Sequence, residues 1–143
     1  MPGISQLSEV EIDALLPKGL EAAAVCQEYF EACESDQPDR WLACLHLEQR
    51  EKATSQKPGP FAVCSWELGR DRVSKYMVKY SFTGQVGEQS YRNSEPCVEL
   101  KYQPLYGPVP GYTDGAPLGE PITLSLQRQG GPRGEWRVTR GSF

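Results

Sequence analysis

The chain has 143 residues, with 15 Lys and Arg against 19 Asp and Glu and a formal net charge of −4. That length suits one domain owning a proper core, with roughly 68% of the unfolded surface removed from water. The charges lack the dense basic stripe interleaved with aromatics that marks nucleic-acid binders, so no nucleic-acid partner is expected. No apolar run approaches the about 20 residues that span a bilayer, and the start carries no basic, apolar leader. A chain that is soluble as written follows, cytoplasmic unless an export signal or anchor has been removed.

The first elements read as helices. In "SEVEIDALLP", Ser8 and Glu11 form a capping-box pattern and Pro17 closes a short lead-in helix. From Pro17 on, "KGLEAAAVCQEYFEACES" sets Leu20, Ala23, Ala24, Tyr29, Phe30 and Cys33 at helical spacing. The next stretch, "DQPDRWLACLHLEQREK", has Asp36 as a cap, Pro38 and Asp39 in the first turn, and Trp41, Leu42 and Leu45 as an apolar stripe. Residues 1–51 hold eleven acidic side chains and three basic ones, so the helical half is acidic and the remainder mildly basic.

After residue 60 the period changes to 2. "FAVCSWEL" is mixed and reads as an edge strand or one covered on both faces. "KYMVKYSF" aligns Tyr76, Val78, Tyr80 and Phe82, "CVELKYQ" aligns Val98, Leu100 and Tyr102, "ITLSLQ" aligns Ile122, Leu124 and Leu126, and "EWRVT" aligns Trp136 and Val138. Successive alternating strands predict an antiparallel sheet with one buried face, and the preceding helices are what covers it. The expected class is α+β: N-terminal helices packed on a bent antiparallel sheet. Its divisions are a lead-in at 1–16, a helical part at 17–53 and a sheet at 61–143, all within a single domain spanning 1–143.

The segment "YGPVPGYTDGAPLGEP", residues 106–121, joins the third and fourth strands. Its glycines and prolines predict a long stiffened connection with Asp114-Gly115 as its turn and Tyr106 and Tyr112 folded back. Its length suggests a flap at one end of the sheet. On that reading, removal of residues 108–119 leaves the fold intact.

Helix, helix and four to five antiparallel strands ending in "GEWRVTR" resemble the NTF2-like (cystatin-like, SnoaL-like) superfamily over most of the chain. In that family a long helix and a short one meet at a turn like that in "FEACESDQPDRWLACL", and the last strand carries a Gly, a Trp and a Val placed like Gly134, Trp136 and Val138. The resemblance implies a cone, a strongly bent sheet wrapped around the long helix. Its cavity serves proton transfer beside a carbonyl, dehydration, epoxide opening, ligand sensing or assembly in different members, so fold alone does not choose the function.

Side chains on the inward faces narrow the choice. A proton-transfer or dehydratase site needs a base beside a polarising group in an apolar pocket. The apolar strand faces supply Trp66, Tyr76, Tyr80, Tyr102 and Trp136 but no carboxylate. The candidates for an enzyme are His46, the single histidine, with Glu67 and Tyr80; Asp36 and Asp39 are better explained as helix caps. An aromatic-lined pocket instead suits a small apolar ligand with one or two polar groups, bound by Tyr29, Trp66, Tyr76, Tyr80, Tyr102 and Trp136. The five cysteines form no CxxC, and Cys26 and Cys33 share a helix face as packed thiols, so neither a metal nor a cofactor is expected. The outward sheet face (Lys75, Lys79, Glu99, Lys101, Thr123, Ser125, Gln127, Arg137) is polar and suits pairing into a homodimer. The reading that results is a non-catalytic module binding a small apolar ligand or a partner protein, and the alternative is an isomerase, dehydratase or hydrolase of the same superfamily.

Overall fold

The computed structural model describes residues 7–54 and 60–143, the side chains of 51–54 and 60–64 excepted. Helix α1 (Glu9–Asp13) opens with the expected capping box. Glu11 N donates to Ser8 Oγ at 3.2 Å, and Ser8 N donates back to Glu11 Oε1 at 3.1 Å.

Helix α2 (Ala22–Glu34) starts later than Pro17, because Gly19 takes φ 78° and turns the chain there; its N–H donates to Glu135 Oε2. One face, carrying Val25, Cys26, Tyr29, Phe30, Ala32 and Cys33, is buried. Asp36 does not cap the next helix. At φ 54° it occupies the left-handed position that ends α2, a conformation Asp tolerates better than most residues, and Gln37 precedes α3 (Pro38–Ala43).

The second helical stretch divides in two. Past α3, Val138 N donates to Cys44 O at 2.8 Å and His46 N donates to Val138 O at 2.9 Å, so residues 44–46 leave the helix to cover the last strand's free edge. Helix α4 (Leu47–Thr54) then returns Arg50, wholly buried, which donates to Leu42 O and Leu45 O and pairs with Asp13 at 2.7 Å. One guanidinium thus satisfies carbonyls freed by the break in the helix.

"FAVCSWEL" is not a strand. It opens helix α5 (Pro60–Tyr76), and the sheet begins only at residue 79. Trp66, Gly69, Val73 and Tyr76 follow each other at three- and four-residue steps, a helical stripe that an interior glycine obscures. A Cβ on Gly69 would lie 2.6 Å from Cys33 Sγ and 2.7 Å from the Phe143 ring, so only glycine lets α5 sit this close. Tyr76 therefore belongs to α5. Met77, at φ 47°, makes the turn into β1 (Lys79–Gln85).

Strands β1, β3 (Glu95–Leu105), β4 (Ile122–Gln129) and β5 (Glu135–Arg140) form an antiparallel sheet in the order β1-β3-β4-β5, with β2 (Ser90–Arg92) paired to the start of β3. Leu100 faces Leu124, and Leu126 faces both Val98 and Val138, which stacks the buried residues in rows across the sheet. The class is α+β, helices followed by a five-stranded antiparallel sheet. The polar face departs from expectation: Gln127 and Arg137 are buried and Lys75 lies in α5. Among the described residues no helix is long and apolar enough to cross a membrane.

Residues 106–121 form a compact connection. Tyr106 N donates to Ala116 O, Gly115 N to Tyr106 O and Leu118 N to Pro104 O, while Gly107 N donates to Tyr76 O at the end of α5. Tyr106 stacks on Tyr112 at 4.4 Å, and both meet Tyr76 edge-on. The expectation that 108–119 is dispensable does not fit these bonds or the burial of Leu118. A Cβ on Gly107 would collide with the Met77 carbonyl oxygen, a backbone atom that cannot swing aside. Gly107→Ala is therefore expected to cost about 1–3 kcal/mol, read as a lower urea midpoint with an unchanged m-value; an unmoved midpoint contradicts the anchoring role.

Candidate functional site

Two adjacent residues of α2 divide the aromatic interior. Tyr29 is fully buried: its ring stacks on Phe143 at 4.6 Å, lies 5.9 Å from Trp41, and its hydroxyl donates to Ser142 O at 3.4 Å. Trp41 in turn packs on Trp66 at 5.3 Å, which closes that side. Phe30 points the other way, stacked on Tyr80 at 4.0 Å and edge-on to Tyr102 at 5.0 Å. Beside it lies a cleft of about 470 Å³, open on one side, with Phe30, Tyr80, Phe82, Tyr102 and Phe143 as aromatic walls and Cys33 and Val73 between them. The volume lies in the range of small-molecule sites.

The mouth is charged and internally paired. Glu34 holds Lys79, and Glu31 accepts from Gln27 at 3.0 Å and from Arg40 at 3.2 Å. Inside, burial pushes the Cys33 thiol up to about 12 and raises the phenols of Tyr80 and Tyr102. All three are protonated at neutral pH, so Cys33 is a packed thiol and not a nucleophile. The Tyr80 hydroxyl is buried with no hydrogen-bond partner among the described residues.

Of the residues singled out from the sequence, the cleft gathers Tyr80 and Tyr102, with Phe82 half exposed at its edge because β1 is an edge strand. Tyr29 and Trp66 are packed in the core. Trp136 lies under the Arg128 guanidinium at 4.6 Å, and Tyr76 joins the tyrosines of the 106–121 connection. Cys26 is buried, its thiol also pushed up to about 12, while Asp36 pairs with Arg70 at 3.5 Å and Glu67 is exposed on α5. Cys64 lies outside the described side chains. Phe30, Cys33, Val73 and Phe143 line the cleft without having been singled out as ligand residues; for Phe30 the helical spacing was the available signal.

His46 does not line the cleft. Its Nε2 lies 3.2 Å from Glu95 Oε1, and its Nδ1 accepts from Glu48 N at 3.4 Å, which places the ring proton on Nε2 and leaves neither nitrogen for a substrate. Glu95 also accepts from Gln127 and from Gly130 N. The Gly130 amide is the main cause that holds its carboxyl below the usual range, with Gln127 and His46 assisting against burial. The group fastens the 44–46 segment to β3, β4 and the turn after β4. A second concavity, about 690 Å³, lies over Cys97, Glu99, Ser125 and Thr139 and is polar. Among the described residues no three His, Cys, Asp or Glu side chains gather as a metal site.

A carboxyl lowered in the folded state contributes stability that is complete above its unfolded value, about 4.3, and is lost as pH falls through the folded one. Glu95→Gln is expected to lower stability by about 1–3 kcal/mol at pH 6–7. The gap from the unaltered protein should narrow steadily below about pH 5 in urea titrations from pH 7 to 3. A gap that stays constant across that range overturns the assignment of Glu95 as the charged partner.

No family model matches the sequence, and no curated protein matches it. Among solved structures the chain is similar to a variant of Rv3472, a protein of unknown function from Mycobacterium tuberculosis, with a TM-score of 0.52 and 13% identity over 94% of this chain and 74% of that one. A candidate polyketide cyclase from Xanthomonas campestris pv. campestris shares 20% identity over 82% of this chain and 87% of that one, at a TM-score of 0.34 that carries no argument. The first likeness concerns the fold alone, helices laid on an antiparallel sheet.

Proposed function

We propose that this chain is a single-domain, non-catalytic NTF2-like module that binds a small, largely apolar ligand in the cleft between α2 and β1. The observation that carries the reading is the wall of five aromatic rings around a space of about 470 Å³. Flat rings supply large contact area at little entropic cost.

The chemistry around the cleft favours binding over turnover. A general base must reach the proton it removes, and the two candidates lie elsewhere: His46 is engaged at both nitrogens and Glu67 is on the exposed face of α5. The carboxylates at the mouth, Glu31 and Glu34, are held by Arg40 and Lys79. Cys33, buried and protonated, offers bulk and polarisability.

Indole is a suitable probe, being flat, apolar and small enough for the cleft. In a titration followed by amide NMR, saturable shifts are expected at Phe30, residues 78–82 and Tyr102. Indole at 100 times its Kd should stabilise the fold by about 2.7 kcal/mol. Shifts that never saturate, or that centre on the polar concavity over Glu99 and Ser125, reject the reading.

A further inference from the structure

The connection between β3 and β4 carries an arrangement that the cleft does not use. Tyr106 and Tyr112 stack with ring centroids 4.4 Å apart and planes 13° from parallel, and Tyr76 of α5 meets them edge-on at 5.5 and 5.6 Å. None of the three lines the cleft. The backbone holds the pair together: Tyr106 N donates to Ala116 O at 2.9 Å, and Gly115 N donates to Tyr106 O at 2.7 Å. Tyr112 is nevertheless 49% exposed, so a dissolved reagent reaches its ring.

The other tyrosines lack this combination. Tyr29 and Tyr102 are buried, and Tyr80 stacks on Phe30, which has no phenol. Tyr91 is 66% exposed but has no ring beside it among the described residues. Tyr106 and Tyr112 are therefore the one stacked pair of phenols among the described residues, and one of the two is open to solvent.

A phenol that loses an electron and its proton becomes a phenoxyl radical, with the unpaired electron shared between the oxygen and the ring carbons ortho to it. Radicals on separate chains must meet by diffusion. Two held in contact couple in a unimolecular step, and proximity of that kind raises the effective concentration by orders of magnitude.

We propose that Tyr106 and Tyr112 form an oxidative cross-linking site, closed by a dityrosine bond within one chain. Hydrogen peroxide, acting through a haem peroxidase, takes one electron and one proton from each phenol and is reduced to two waters. The radicals join ortho carbon to ortho carbon, the hydrogen on each joined carbon moves to its own oxygen, and the product has lost two hydrogens in all. The stacked rings must slide for those carbons to meet, and the exposed Tyr112 ring has room to do so. The bond closes the chain on itself over residues 106–112, beside the Gly107 N–H that donates to Tyr76 O.

Protein treated with peroxide and a haem peroxidase is expected to gain the blue fluorescence of dityrosine and lose the mass of two hydrogens while remaining monomeric. Its yield per chain should not change when the protein is diluted about tenfold. The bond should map to the tryptic peptide 102–128, with no backbone fragments between residues 106 and 112. Tyr106→Phe and Tyr112→Phe should each lower this product by about tenfold or more, and Tyr91→Phe should leave it within about twofold. The absence of any cross-link, a product that joins chains and grows with concentration, a bond that maps to Tyr76 or Tyr91, or an unchanged yield in Tyr112→Phe overturns the proposal. The dilution series and the peptide map use the unaltered protein, so they decide the matter even where a variant fails to fold.

Discussion

The interior depends on the placement of Tyr29 and Phe30 at consecutive positions of α2. Neighbours on a helix point about 100° apart, so two large rings in sequence reach largely different partners, although both meet Phe143. Tyr29 fixes the helix to the body through Phe143, Trp41 and the carbonyl of Ser142. Phe30 is then obliged to face β1, where Tyr80 and Tyr102 meet it. The first set is packed in the core and reads as stability, with Phe143 shared between it and the cleft. The second stands against the edge strand β1, and the cleft opens beside it.

The two edges of the sheet are managed differently, and the difference locates the open site. At β5 the unpaired backbone is taken up by residues 44–46, which His46 ties to Glu95 and, through it, to Gln127 and Gly130. The single histidine is spent on holding that covering segment in place. At β1 no such segment is added among the described residues. Phe82 stays half exposed there, and its ring lies 5.4 Å from Tyr102.

Much of the sheet was legible because β3 and the first part of β4 have one drier face and one wetter one, which forces alternation at Val98, Leu100 and Tyr102 and again at Leu124 and Leu126. The capping box at Ser8 was legible for a similar reason, since its bonds are local. What long-range contacts decide was not. Nothing near Leu45 in sequence announces its pairing with Val138, 93 residues on, and Glu95 reads as one more polar strand residue until the fold brings His46 to it. The glycine-rich connection read as a stiffened flap, and tyrosine stacking and the Gly107–Tyr76 bond give it a compact folded form. Of the cleft, Tyr80 and Tyr102 were visible through strand alternation, while Phe143 depends on how the last residues turn inward.

The failure to see α5 is the informative one. Its apolar stripe is interrupted at Gly69 and Arg72, a residue without a side chain and one with a charge, and both are poor choices for a face that merely packs. An alanine or leucine at 69 would strengthen the helical signal and exclude Phe143 and Cys33 from where they lie. A leucine at 72 would widen the stripe, where the protein instead keeps a partly exposed arginine with its Nη1 buried. Sequence that specified only a stable α5 would make both changes. Gly69, which blurs the helix, is also the residue that makes room for Cys33 and Phe143 beside the cleft, so the local weakness of the pattern and the shape of that neighbourhood have the same origin.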